Sequence, residues 1–199
     1  MPERNLKPAD PLELFRSWYA AAGAAGIAKP NALTLATAEA DGTPHGRVVL
    51  LSSFDERGFV FHTNYESPKG ATLARNPAVS LVFWWDPLGY QVRIEGQAEK
   101  TSAAESDAYF AKRPRGSQLG AWASEQSREI DSRAALEHRM QQLERQYAGQ
   151  TIPRPPHWGG YRVVPHTIEF WENRDNRLHD RLRYEHAEQG GWRVVRLAP

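Results

Sequence analysis

The chain has 199 residues, enough to bury one good core, and reads as a single domain over 1–199. Its 25 Lys and Arg against 24 Asp and Glu leave a net charge of +1, so bulk electrostatics gives no footprint for nucleic acid or an anionic membrane surface; any anion must be held locally. The absence of cysteine excludes disulfides, thiolate metal sites and cysteine nucleophiles; with no signal-like segment after Met1 and no apolar run near the ~20 residues that span a bilayer, a soluble, cytoplasmic protein is expected.

The nine residues ahead of Asp10 read as flexible. Asp10-Pro11 then starts a helix, with an N-cap carboxylate and a first-turn proline, and Leu12, Phe15, Tyr19 and Ala22 share its inner face. Strands are predicted over Ala32 to Ala38, Gly46 to Phe54 and Phe59 to Thr63, separated by turns at Asp41-Gly42 and Asp55 to Gly58. Ser67-Pro68-Lys69-Gly70 opens a short helix that ends near Asn76-Pro77, and strands follow over Ala78 to Trp85 and Tyr90 to Lys100. In the second of these, Gln91, Arg93 and Glu95 alternate with Val92 and Ile94, the pattern of a half-buried strand.

A capping box at Ser102 to Glu105 opens a helix to about Lys112. The Pro/Gly-marked stretch Pro114 to Gly120 reads as irregular, with a short helical turn over Ala121 to Gln126. Asp131 to Ala148 has the clearest helical period, Leu136, Met140, Leu143 and Tyr147, which packing alone explains. After a proline-rich loop, Thr151 to His157, come four strands: Gly160 to Val164, Thr167 to Trp171, Arg181 to Tyr184 and Trp192 to Leu197. Five strands, a helical insert and four more strands give an α+β class, an antiparallel barrel with peripheral helices.

Arg177-Leu178-His179-Asp180-Arg181 carries the densest local charge. If extended, it places Arg177, His179 and Arg181 on one face at roughly 6 to 7 Å intervals, three potential cations that call for an anion. A solvated edge strand is the plain alternative, with His179 satisfied by Asp180 or a neighbouring strand. The aromatic approach through Ile168 to Trp171 and the turn at Asn173 to Asn176 favour a flat anionic heterocycle, because guanidinium groups stack on rings and fork onto phosphate or carboxylate.

Several stretches in order resemble the pyridoxamine 5'-phosphate oxidase family: Arg47 to Leu51, His62-Thr63-Asn64, Ser67 to Gly70, Gln91-Val92, Tyr109 to Gln118, Gln126-Ser127, Trp158-Gly159-Gly160, Glu169-Phe170-Trp171, Arg177 to Arg181 and Arg196 to Pro199. The resemblance runs from about Asp10 to the last residue. It implies an FMN-binding split β-barrel that forms a homodimer with two FMN sites at the interface, each built from both chains. Arg47 and Lys69 would hold the FMN phosphate, helped by free amides at the helix that begins near Ser67, and the backbone from Arg47 through Val48, Val49 and Leu50 to Leu51, with His62, Thr63, Gln91, Gln126, Ser127, Trp171 and Arg181, would surround the rest of the cofactor. Ser52, Tyr109, Arg113 and Ser117 stand at positions that grip the substrate phosphate, and Arg177 and His179 at those covering the substrate ring as the catalytic pair.

No natural side chain accepts a hydride, so a two-electron oxidation needs such a cofactor. The implied chemistry is hydride transfer from the substrate carbon beside the ring, with O2 as final acceptor and hydrogen peroxide as by-product. The residues depart from the family pattern in three places. Ser52 replaces a lysine on the substrate phosphate, Pro68 replaces an arginine on the FMN phosphate, and few residues precede Asp10 to fold over a substrate. Serine at the Ser52 position is also found in the related phenazine-biosynthesis oxidases, which act on a carboxylated reduced heterocycle. Three readings follow: an oxidase of pyridoxine or pyridoxamine 5'-phosphate, a phenazine-type FMN oxidase, and a non-catalytic binder of flavin or pyridoxal phosphate. Tyr109 and Arg113 could equally form a helix face packed on the barrel, and Trp171 could be core.

Overall fold

The computed structural model describes residues 9–187 and 189–199; the expectation for the segment ahead of Asp10 falls, Ala9 apart, outside the described residues. Strands β1 (Ala32–Ala38), β2 (Pro44–Asp55), β3 (Gly58–Asn64), β4 (Ala78–Trp85), β5 (Tyr90–Lys100), β6 (Trp158–Glu172), β7 (Asp180–His186) and β8 (Trp192–Arg196) lie in the order β3-β2-β1-β4-β5-β6-β7-β8. An additional antiparallel β3–β6 pairing closes the first six into a barrel, leaving β7 and β8 as an extension of β6. Closure removes both sheet edges from the six-stranded part.

Alternation decides which side chains fill the barrel. Leu33, Leu35, Leu81, Phe83, Val92, Ile94, Val163 and Ile168 point inward and are buried. Helix α1 (Pro11–Ala24) begins as its sequence dictates, with Leu12 N–H donating to the Asp10 carboxylate at 2.9 Å. It inserts Phe15 into the barrel end, where that ring meets Phe54, Phe59 and Phe83 edge-on with centroids at 4.8, 5.0 and 5.2 Å. No helix among the described residues is long and apolar enough to cross a membrane.

Helices α3 (Ala103–Lys112), α4 (Arg115–Ala123) and α5 (Arg133–Gln146) sit between β5 and β6 in sequence. They build a second small core, Phe110, Leu119, Ile152 and Trp158, against which Met140, Leu143 and Tyr147 of the α5 side pack. The buried Arg162 of β6 ties α3 to the barrel through Glu105 at 2.9 Å and Asp55 at 2.7 Å. That anchor fixes where α3 presents its last turn.

Three expectations change. The stretch from Pro114 to Gly120 is helical: Pro114 is the N-cap of α4, and burial of Leu119 and Ala123 outweighs the cost of its two glycines. The two strands read around Pro165-His166 are one strand, so the described residues form eight strands rather than nine; the proline sits at a bulge opposite Gly96, where a Cβ would come within 2.2 Å of the Val164 carbonyl oxygen. Arg177, His179 and Arg181 do not share an extended face. Residues Asp175–Arg177 form a short 3-10 turn with Asn176 and Arg177 at φ of 57° and 63°, and β7 begins only at Asp180.

Candidate active site

A groove of about 710 Å³ opens where β2 and β3 meet the ends of α2 (Pro68–Arg75), α3 and α4. Val48, Val49, Leu50 and Ser52 line one wall, His62 and Thr63 the floor, and Tyr109, Lys112, Arg113, Ser117 and Trp158 the opposite side. Among the described residues that line it, Lys69, Lys112 and Arg113 are cationic and none is a carboxylate. By Coulomb's law this surface attracts anions, most strongly where water is excluded.

One pole is built on the start of α2. Ser67 caps that helix, fully buried, with its hydroxyl donating to the Asn64 carbonyl at 2.7 Å. Gly70 lets the first turn close on its loop, since a Cβ there would lie 2.1 Å from the Tyr65 carbonyl oxygen. Lys69 Nζ donates to Gln126 Oε1 at 2.6 Å and to Ser67 Oγ at 3.1 Å, and Thr63 Oγ1 donates to the same Gln126 oxygen at 3.3 Å. Burial, and secondly the Arg47 guanidinium, push the Lys69 ammonium down to about 8. Arg47 itself donates to Thr37 Oγ1 at 2.8 Å and the Leu35 carbonyl at 3.2 Å, and burial lowers its pKa as well. Two partly desolvated cations, answered among the described residues by neutral oxygens, form an anion site beside helix amides.

The other pole lies under α3. Ser52 Oγ and His62 Nδ1 are 2.8 Å apart, and the His62 ring stacks on Tyr109 with centroids at 3.8 Å and planes 9° apart. Trp158 continues the stack at 5.2 Å from His62, and the Arg113 guanidinium stands 4.5 Å over the Trp158 ring. Burial, with the Arg113 charge second, pushes the His62 pKa down to about 4, so the imidazole is neutral near pH 7. Arg113 Nη1 is buried and has no hydrogen-bond partner among the described residues. An unanswered buried donor costs roughly 1–3 kcal/mol, and more when charged, unless a ligand supplies the acceptor. Ser117 stands inside α4 rather than in a loop beyond α3, and it still lines the groove.

The remaining nominated residues form a second group. Gln91, Trp171 and Arg181 are successive partners across β5, β6 and β7, and the Trp171 ring meets the His179 ring at 4.5 Å. His179 Nδ1 accepts from the Arg174 N–H at 3.2 Å, whereas Asp180 answers Arg174 and Arg196 at 2.9 and 2.6 Å. Arg181 is held by the buried Glu169 at 2.8 Å and the Ala198 carbonyl at 3.0 Å. None of these, and neither Arg177 nor Ser127, lines the groove of their own chain. Leu51 turns into the core, leaving only its backbone for a ligand.

Arg177 and Ser127 adopt left-handed backbone, φ 63° and 70°, which non-glycine residues hold only when their surroundings over-determine it. Residue-by-residue reading missed Trp158 and Lys112 as groove residues. A signal for the first was present: at Gly159 and Gly160 a Cβ would come within 2.1 Å of Tyr65 Oη and 2.5 Å of Thr101 Oγ1, so the backbone after Trp158 must approach closely.

Known proteins share the family and the fold. Residues 20–147 fit the family model described as pyridoxamine 5'-phosphate oxidase, and residues 158–199 fit one described as the pyridoxine 5'-phosphate oxidase C-terminal dimerisation region. The chain is 57% identical over 190 residues to the pyridoxine/pyridoxamine 5'-phosphate oxidase of Gloeothece citriformis, covering 96% of this chain and 89% of that one. It is 58% identical over 191 residues to the protein of the same name from Rubrobacter xylanophilus, covering 96% and 87%. Among solved structures, PhzG from Burkholderia lata 383 in complex with tetrahydrophenazine-1-carboxylic acid superposes with a TM-score of 0.93 at 38% identity, over 100% of this chain and 97% of that one. A pyridoxamine 5'-phosphate oxidase-related, FMN binding protein from Nostoc punctiforme shares the fold, with a TM-score of 0.77 at 19% identity over 98% and 100%. On both the match to the family model and the identity to these relatives, the chain belongs to the pyridoxamine 5'-phosphate oxidase family.

Proposed function

We propose that this protein is an FMN-dependent oxidase that converts pyridoxine or pyridoxamine 5'-phosphate to pyridoxal 5'-phosphate, consuming O2 and releasing hydrogen peroxide. The observation that carries the reading is a groove with two separate cationic poles and, among the described residues, no carboxylate in its lining and no partner for a buried guanidinium nitrogen at one pole. Two anionic groups on two stacked ring compounds suit it. FMN, when bound, supplies the hydride acceptor and returns electrons to dioxygen.

Lys69 and Arg47 hold its phosphate beside the amides of α2, and the half-exposed wall of Val48 and Leu50 covers its ring. Arg113, with Ser117 and the Tyr109 hydroxyl, holds the substrate phosphate, and the stack of Tyr109, His62 and Trp158 keeps water from that end. Arg177 and His179 cover the substrate ring, with His179 orienting it and moving its proton, a role open to an imidazole because its ring nitrogens can donate or accept. Because these two lie outside the groove of their own chain, together with Gln91, Trp171 and Arg181, a second copy supplies them, and the active unit is a homodimer. The match of residues 158–199 to a dimerisation region and the exposure of Val48, Leu50 and Trp84, at 68%, 47% and 49%, support that assembly.

The test is direct. Purified protein loaded with FMN is given each phosphorylated vitamer, and pyridoxal phosphate and peroxide are measured; absence of turnover at saturating substrate rejects the reading. Ser52 favours a second reading, a phenazine-type oxidase of a carboxylated reduced heterocycle, because serine and a neutral imidazole offer hydrogen bonds where a lysine would offer charge. Faster peroxide release with a reduced phenazine carboxylic acid than with either vitamer would favour it.

A further inference from the structure

At the α3 end of the groove, the β2 wall contributes hydrogen bonds but no charge, since Ser52 Oγ is engaged with His62 Nδ1. The opposite wall is richer. Lys112 lines the groove beside Arg113 and Ser117, three residues after Tyr109, so the two project to the same side of α3. The acids of that helix are occupied elsewhere: Glu105 by Arg162 at 2.9 Å and Arg57 at 3.3 Å, Asp107 by Arg154 at 2.6 Å. The exposed Lys112 ammonium therefore faces a groove whose lining holds no carboxylate among the described residues, next to the buried Arg113 Nη1.

We propose that Lys112 is a specificity-determining residue that, paired with Arg113, forms a two-cation clamp for a dianionic phosphate ester, supplying from α3 the charge that Ser52 does not supply from β2. The inference rests on the proposed function and sharpens its substrate class. A phosphate monoester carries about −1.5 to −2 charges near pH 7, a carboxylate only one, so a second cation selects the ester. The plain alternative is that Lys112 only complements the C-terminal end of the α3 dipole, which would alter helix stability slightly and ligand binding not at all.

The probe is 4-deoxypyridoxine 5'-phosphate, which has the ring and the phosphate but neither an oxidisable group nor an aldehyde to react with lysine. Its Kd for FMN-loaded protein is read from the flavin absorbance. Lys112→Gln is expected to weaken binding at least about tenfold, the range of one charge-assisted hydrogen bond, while Lys112→Arg retains it. Adding Ser52→Lys to Lys112→Gln is expected to recover the loss, because the charge returns from the other wall. Binding by Lys112→Gln within about twofold of the unsubstituted protein overturns the proposal, as does a loss that Ser52→Lys leaves unrecovered. If the unsubstituted protein does not bind the ester at all, the proposed function falls together with it.

Discussion

The Lys69 pole makes a quantitative prediction about cofactor affinity and pH. An ordinary lysine titrates at 10.5; here burial and the Arg47 charge bring Lys69 to about 8. A bound phosphate supplies the missing counter-charge and restores the ammonium, so the complex holds a proton that the free protein releases above about pH 8. By linkage, affinity must then fall as pH rises through that value. Full restoration would return the ammonium to its ordinary value of 10.5. The side chain keeps some contact with water, so the recoverable part is smaller, about 1–2 kcal/mol, or roughly fivefold to thirtyfold in Kd. The assay is quenching of FMN fluorescence by apo-protein between pH 7, where the phosphate is almost fully ionised, and pH 10. Riboflavin, which lacks the phosphate, corrects for ionisation of the ring itself. An FMN-to-riboflavin affinity ratio that stays flat across this range, or that falls equally in Lys69→Gln, would refute the reasoning.

Three further outcomes are expected. His62 is neutral in the folded chain down to about pH 4, whereas in the unfolded chain it takes a proton near 6.5; the unfolded state therefore gains protons first, and stability falls as pH drops from 6.5 to 4. Urea midpoints should show this loss, about 1–2 kcal/mol after allowance for solvent contact, in the parent and not in His62→Phe. Mixing inactive Arg113→Ala and His179→Ala proteins and allowing subunits to exchange should restore activity: about half the dimers become mixed, each with one intact site of two, giving about a quarter of normal turnover. Mixed dimers that form without activity contradict a site shared between chains. Gly58→Ala should cost more than about 2 kcal/mol in thermal unfolding, because φ is +133° and the added Cβ would lie 2.1 Å from the Val163 carbonyl oxygen across the β3–β6 seam.

The barrel is legible because strand alternation and burial agree. Val92 and Ile94 are fully buried while Gln91, Arg93 and Glu95 face outward, as a period of two requires. Local signals misled where long-range contacts decide. Pro165 reads as a break, yet a proline at a bulge ends only one pairing, and Gly96 on the neighbouring strand makes the bulge possible. Gly116 and Gly120 read as loop, yet two buried side chains recover more than the glycines cost. Arg177 and His179 share a face only in extended backbone, which Asn176 and Arg177 break by turning left-handed.

The site residues divide along the same line. Motifs nominate residue types, and the nomination needs no geometry; what a motif cannot give is which nominees meet. His62, Tyr109 and Trp158 come from β3, α3 and β6 and meet because long-range contacts, Arg162 with Glu105 and the Gly160 N–H with Ser106 Oγ among them, hold α3 on the barrel. Lys112 sits one residue before a nominated arginine, and what distinguishes it from a solvated lysine is that the acids near it are already paired across space. Conversely, Gln91, Trp171 and Arg181 are aligned by strand register on one chain and still lie off its groove. A ligand that needs both groups therefore needs two chains, so dimer formation and cofactor retention should be lost together, and a substitution that splits the dimer should release FMN even with Arg47 and Lys69 intact.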